Sequence, residues 1–192
     1  MRIIGLSKHF GSKSVFRGFN CEILEGSVNL LVGKSGSGKT TLLRILAGLD
    51  NDFIGKISPI FEKISYVFQE PRLLESLNVI ENVKIVAKDS EKRAIELLEI
   101  LELSDSLKLY PSELSGGMKM RVNLARALNY DADLYLLDEP FSALDEDLKR
   151  RILPKVFKYL NGKTVIIISH NPSEVRRYSK NIIDLDKNNL KV

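Results

Sequence analysis

The 192-residue chain has one cysteine, Cys21. A single cysteine excludes an intrachain disulfide and fits a reducing, cytosolic setting. Cys21 lies in the apolar stretch "FNCEIL", where a buried small hydrophobe is expected rather than a nucleophile. The chain also lacks any run of about twenty apolar residues, so nothing in it reads as a membrane span. The opening "MRIIGLSKHF" has no secretory apolar stretch. If a membrane matters to this protein, a partner must supply the spans. No repeat or low-complexity tract is present.

A dense basic patch is missing too. The net charge is +4 and the pI about 9.1, with Lys and Arg spread along the chain. That balance suits a phosphate-rich ligand or a position near a membrane, and argues against a dedicated nucleic-acid binder. The run Lys149-Arg150-Arg151 reads as a solvated helix face.

What is present is an ordinary globular composition, 44% hydrophobic and 28% charged, enough for the core of one domain. Short strands are expected at 3–6 and 20–24, around a polar loop at 11–14. Compact apolar runs at 28–32 ("VNLLV"), 64–68, 134–138 and 164–168 read as buried strands. Helical spacing of Leu42, Leu43, Leu46 and Leu49 follows the first, with Gly48 near the helix end. Further helices are expected at 78–87, 90–103, 117–128 and 145–160, the last kinked or interrupted by Pro154. The tail "IIDLDKNNLKV" reads as two strands around a Lys-Asn-Asn turn. Apolar strands alternating with helices predict an α/β fold with a mostly parallel sheet. The block at about 71–129 reads as an α-helical subdomain inserted into a core at about 1–70 and 130–192.

Residues 33–40, "GKSGSGKT", match G-x-x-x-x-G-K-[ST] between a buried strand and a helix. Gly33, Gly36 and Gly38 let backbone wrap phosphate oxygens, with Lys34, Ser35 and Ser37 between them. Lys39 is expected at the β- and γ-phosphates, Thr40 at Mg²⁺, and Thr41 beside it. Asp138 ends the strand "LYLLD", where a carboxylate can meet that metal; Glu139 follows and would orient the attacking water. His170 ends the strand "TVIIIS" and could reach the γ-phosphate if the two strands are neighbours.

Set in order with "LSGGM", "LLDEP", "SALD" and "SH", these motifs resemble the ATP-binding subunit of an ABC transporter over essentially the whole chain. The resemblance implies a P-loop NTPase (RecA-like) core with an N-terminal antiparallel β portion, binding ATP and Mg²⁺. It makes Glu139 the catalytic glutamate and His170 the switch histidine. Gln69 becomes the glutamine that contacts Mg²⁺ and the attacking water and links the site to a transmembrane partner. Asp145 falls in the D-loop motif, and Phe10 where an aromatic stacks on adenine. Ser115, Gly116 and Gly117 would close over ATP held by a second subunit, a copy of this chain or a homologue.

Met118 departs from the common Gln. "LSGGM", "FQEPRLL" and "NVIENV" resemble more narrowly the importer ATPases for nitrate, sulfonate and taurine, although Glu75 and Ser76 stand where that group often has Pro-Trp. The resemblance implies permease subunits docked near 69–77, a substrate-binding protein as a further partner, no nucleic-acid partner, and a peripheral place on the cytoplasmic face of the membrane. Dimerisation without ATP is expected to be weak, because facing phosphate sites repel and the sequence offers no large apolar heptad face for a constant interface. With so short a stretch after His170 in this sequence, regulation by an extra domain of this chain is not expected. The alternative is an ABC-type ATPase of a mechanotransmission, lipoprotein-release or cell-division complex. A soluble ABC protein acting on DNA or the ribosome would carry paired ATPase units, a long coiled coil or zinc motifs, none of which is present.

Overall fold

The computed structural model describes residues 1–87 and 91–188. Strands β3 (Val28–Val32), β5 (Ile64–Val67), β6 (Leu134–Asp138), β7 (Thr164–Ile168) and β8 (Asn181–Asp184) form one sheet in the order β5-β6-β7-β3-β8, with every pairing parallel. Its central strands are apolar at successive positions because both faces are covered. Leu30, Tyr135, Leu137, Val165 and Ile167 face one core. Leu31, Leu134, Leu136, Ile166 and Ile168 face the other.

A three-stranded antiparallel sheet, β2-β1-β4, covers the second core. It is made of β1 (Arg2–Phe10), β2 (Lys13–Glu22) and β4 (Ile54–Ser58). The first two strands are longer than the sequence suggests, and the turn between them is correspondingly tight. Strand β4 has no counterpart in the sequence reading. Three of its first four residues are exposed, so it has no alternating pattern. Gly55 permits the pairing: a Cβ there would lie 2.8 Å from Leu6 Cα.

Helix α1 (Lys39–Leu46) packs its leucines into the second core, but ends before Leu49, which is 51% exposed. Helices α2 (Val79–Lys84), α3 (Glu91–Ile100) and α4 (Gly116–Asn129) pack on one another and on the first core. Helix α5 (Glu146–Tyr159) runs through Pro154 without interruption. The buried stripe Leu148, Ile152, Leu153, Val156 and Phe157 holds it in place, against a proline cost of about 3 kcal/mol. Helix α6 (Pro172–Arg176) precedes β8.

The first of the two tail strands is β8. The residues after it form helix α7 (Leu185–Asn188) where a turn was expected, and the second tail strand lies outside the described residues. Cys21 is only partly buried, and burial pushes its thiol pKa up to about 12, so it is a poor nucleophile. The basic run is not a free patch. Lys149 pairs with Glu146 and Glu174, Arg150 with Asp147, and Arg151 with Glu102.

Candidate functional site

The phosphate-type loop leaves β3 at Gly33 and enters α1 at Lys39. Gly38 caps the helix in the left-handed region at φ 98°, and a Cβ there would lie 2.5 Å from Val15 Cγ1. No other residue fits both the angle and the space. Gly36, at φ 76°, has nothing within 4 Å of its Cβ position, so the loop is open on that side. Lys39 Nζ folds back to donate to Gly33 O at 2.8 Å and Lys34 O at 2.9 Å. Lys34 N donates to Asp186 Oδ2 at 3.0 Å, so α7 braces the loop. Ser37 Oγ is buried with no hydrogen-bond partner among the described residues. A buried hydroxyl of that kind in a Gly-rich loop is a ready donor to an anion.

Asp138 is 2% exposed, and burial pushes its carboxyl above the usual range. Hydrogen bonds from the Thr40 and Tyr66 hydroxyls oppose that shift, Tyr66 at 3.5 Å. Glu139 sits at φ 54°, a conformation that costs about 1–3 kcal/mol outside glycine. It is held there by its N–H to Ile168 O at 3.1 Å and by Ser142 Oγ donating to its carbonyl at 3.0 Å. Its Oε2 meets Gln69 Nε2 at 3.3 Å and His170 Nε2 at 2.6 Å. Burial raises the Glu139 pKa, Asp138 adds to the rise, and the charges of His170 and Lys39 oppose it.

These groups converge on one cleft of about 510 Å³. It is lined by Phe10, Gly33, Ser35, Gly36, Gly38, Lys39, Thr40, Thr41, Gln69, Glu139 and His170. Lys34, Ser37 and Asp138 are not in this lining; Ser37 Oγ and Asp138 are buried beside it, and Lys34 is exposed on the same loop. Phe10 is 52% exposed, so it is not an ordinary core aromatic. The cleft also takes Lys13 and Val15 from β2, and Ser169 and Pro172 beside His170. Sequence reasoning missed these, together with Tyr66 and Asp186. Lys13 and Val15 carry no motif, and Tyr66 and Asp186 are distant in sequence from the groups they touch.

Ser115, Gly116, Gly117 and Asp145 do not line this cleft. Ser115 is exposed and caps α4, accepting from Met118 N at 3.2 Å. Asp145 likewise caps α5, accepting from Leu148 N at 2.8 Å. The two glycines differ. A Cβ on Gly117 would stand 2.9 Å from Ala143 O, so that glycine is required within the chain. Gly116 has nothing within 4 Å and faces open space.

The cleft offers Gly-rich backbone and a lysine for phosphates, with a carboxylate and hydroxyl beside them. Among the described residues no group of three His, Cys, Asp or Glu forms a metal cage. A nucleotide-bound Mg²⁺ needs none, because one or two protein ligands, phosphates and waters complete its octahedron.

Known proteins are similar to this chain in sequence and in fold. The family model described as "ABC transporter" matches residues 16–142. The aliphatic sulfonates import ATP-binding protein SsuB of Corynebacterium glutamicum is 39% identical over 191 residues, covering 95% of this chain and 78% of that protein. SsuB 2 of Rhodococcus jostii is 38% identical, covering 100% of this chain and 81% of its own. A solved dimeric ATP-binding cassette in a post-hydrolysis state, bound to ADP and Pi, superposes with a TM-score of 0.79. Its identity is 29%, over 96% of this chain and 94% of that one. With the family model matched over residues 16–142 and relatives 38–39% identical across nearly its whole length, the chain belongs to the ABC transporter family.

Proposed function

We propose that the chain is the ATP-binding and ATP-hydrolysing subunit of an ABC importer. Two ATPase subunits would close head-to-tail on two ATP and drive a separate permease. The observation that carries the reading is a division of the machinery. Loop, Gln69, Glu139 and His170 share one cleft, while Ser115 and Gly116 stand exposed outside it. A second subunit that brings its own Ser115 and Gly116 over the cleft completes the phosphate shell.

Lys39 holds the β- and γ-phosphates and exchanges its present carbonyl partners for them. Ser37 and the loop N–H groups add donors. Mg²⁺ would be held by Thr40, Asp138 and Gln69, and when bound it offsets charge on the phosphates. Glu139, oriented by Gln69 and His170, accepts a hydrogen bond from the attacking water and aims it in line with the γ-phosphorus. His170 is also within reach of the γ-phosphate. Phe10 stacks on the adenine. Asp145, at the start of α5, faces the second subunit.

The permease would seat near residues 69–77, where the Arg72 carbonyl accepts from Arg126, a residue that lines a cavity of about 340 Å³ between β5 and α4. That segment is pinned by Asn82, whose amide bonds Leu74 N, Leu74 O and Leu77 O. Residues 71–129 would then act as the helical subdomain that links permease and cleft. No helix among the described residues is long and apolar enough to cross a membrane. The permease would therefore hold the chain at the cytoplasmic face of the membrane. The relatives' import names favour solute import over a mechanotransmission role, with an organic sulfonate or similar oxyanion as cargo delivered by a substrate-binding protein.

Complementation between two inactive subunits tests the reading. Ser115→Arg and Lys39→Ala should each abolish turnover alone. Mixed, they should regain activity through one composite site per heterodimer. A mixture as inactive as its parts would reject the shared site.

A further inference from the structure

Phe10 stands at the cleft mouth with its ring half exposed, and Lys8 precedes it by two residues on the same face of β1. Lys8 is 3% exposed, and its Nζ lies 4.8 Å from the centre of the Phe10 ring. The ammonium is fixed by three oxygens: Asp50 Oδ1 at 2.7 Å, Asp52 O at 2.6 Å and Asp52 Oδ2 at 3.3 Å. Both aspartates follow α1, the helix that begins at Lys39. The Asp50 hydrogen bond raises the Lys8 pKa, so the cation persists at neutral pH.

We propose that Lys8 is a positioning residue for base recognition: clamped by Asp50 and Asp52, it covers one face of Phe10 and presents the other to the nucleobase. The proposal rests on Phe10 stacking adenine. Two physical effects act together. A half-exposed ring that is already ordered loses less rotamer freedom on binding. A cation on one face also draws π density from the ring, which eases stacking of an electron-rich purine on the other. Lys8 itself lies outside the cleft lining, and its three protons are all directed at oxygens, so it does not serve the phosphates.

The test is calorimetric titration of the full chain with ATP and, separately, with inorganic triphosphate, which has the phosphates and no base. Lys8→Met should weaken ATP by roughly three- to tenfold and leave inorganic triphosphate unchanged. Lys8→Arg should restore most of the loss. In a Phe10→Leu background, Lys8→Met should add nothing. The pair Lys8→Met/Asp50→Asn removes the stranded carboxylate and should match Lys8→Met, which guards against unfolding of the hairpin. Equal loss on both ligands, or an undiminished Lys8 effect without the Phe10 ring, would overturn the proposal. If Phe10→Leu weakens ATP selectively and Lys8→Met does not, only the Lys8 role fails. If Phe10→Leu leaves both ligands unchanged, adenine stacking fails and the Lys8 role with it.

Discussion

His170 Nε2 and Glu139 Oε2 lie 2.6 Å apart, joining the ends of two adjacent parallel strands. Gln69 reaches the same oxygen from the end of a third strand, β5, which also pairs with β6. The carboxylate is thus oriented from both sides by residues whose spacing depends on strand order.

Glu139→Gln keeps the shape and removes the charge. Steady-state ATP turnover should fall by about 100-fold or more. Light scattering should show a more persistent ATP-bound dimer, since the nucleotide survives. Turnover near that of the parent chain would remove Glu139 from the mechanism.

The pH dependence follows from the raised Glu139 pKa. In the proposed mechanism the ionised form is the active one, so the acid limb of turnover should lie above the ordinary value of 4.5. His170→Ala should move that limb higher still, because the His170 charge opposes the shift. Stability runs the other way. The folded state binds this proton more tightly than the unfolded chain, so the contribution is full below 4.5 and is lost as pH rises through the folded value. Thermal unfolding of Glu139→Gln should therefore fall less steeply over that window.

Gly116 and Gly117 should separate on substitution. Gly117→Ala puts a Cβ 2.9 Å from Ala143 O and should lower the melting temperature. Gly116→Ala meets nothing within the chain, so the melting temperature should hold or rise slightly. Its loss should appear in ATP-driven dimerisation, measured by light scattering. A Gly116→Ala chain that dimerises normally would deny that position a role across the interface.

Asn82 is fully buried, and Asn82→Ala removes the partner of Leu74 N and of Leu77 O, while Leu74 O keeps its bond from Leu77 N. The cost is about 1–3 kcal/mol, or several degrees of melting temperature for a chain of this size. ATP affinity of the isolated chain should be unchanged, because Asn82 does not touch the cleft. Calorimetric unfolding and ATP titration check both halves.

The legible parts of the fold were those where burial is imposed from both sides. Strands β3, β6 and β7 are apolar at successive positions for that reason, and the loop after β3 carries its chemistry in adjacent residues. Strand β4 was not legible, because it is held by backbone pairing to β1 and by a glycine rather than by apolar side chains. Helix α7 was hidden because "DKNN" suits a turn equally well. The contacts of Tyr66 with Asp138 and of Asp186 with Lys34 bring together residues from distant segments, which local periodicity does not encode.

The contact of Gly117 with the Ala143 carbonyl has a mechanical consequence. Loop 139–145 begins at Glu139 and ends at the cap of α5, and the glycine helix rests on it at Gly117, with the Ala143 carbonyl nearest and the Leu144 side chain beside it. In the proposed dimer, each chain would serve one ATP with Glu139 and the other with Ser115. Backbone against backbone is a stiff coupling, so a push on the outer helix would be felt at the water-orienting glutamate of the same chain. Each subunit would act as a short lever between two fuel sites, so closure of one would favour closure of the other.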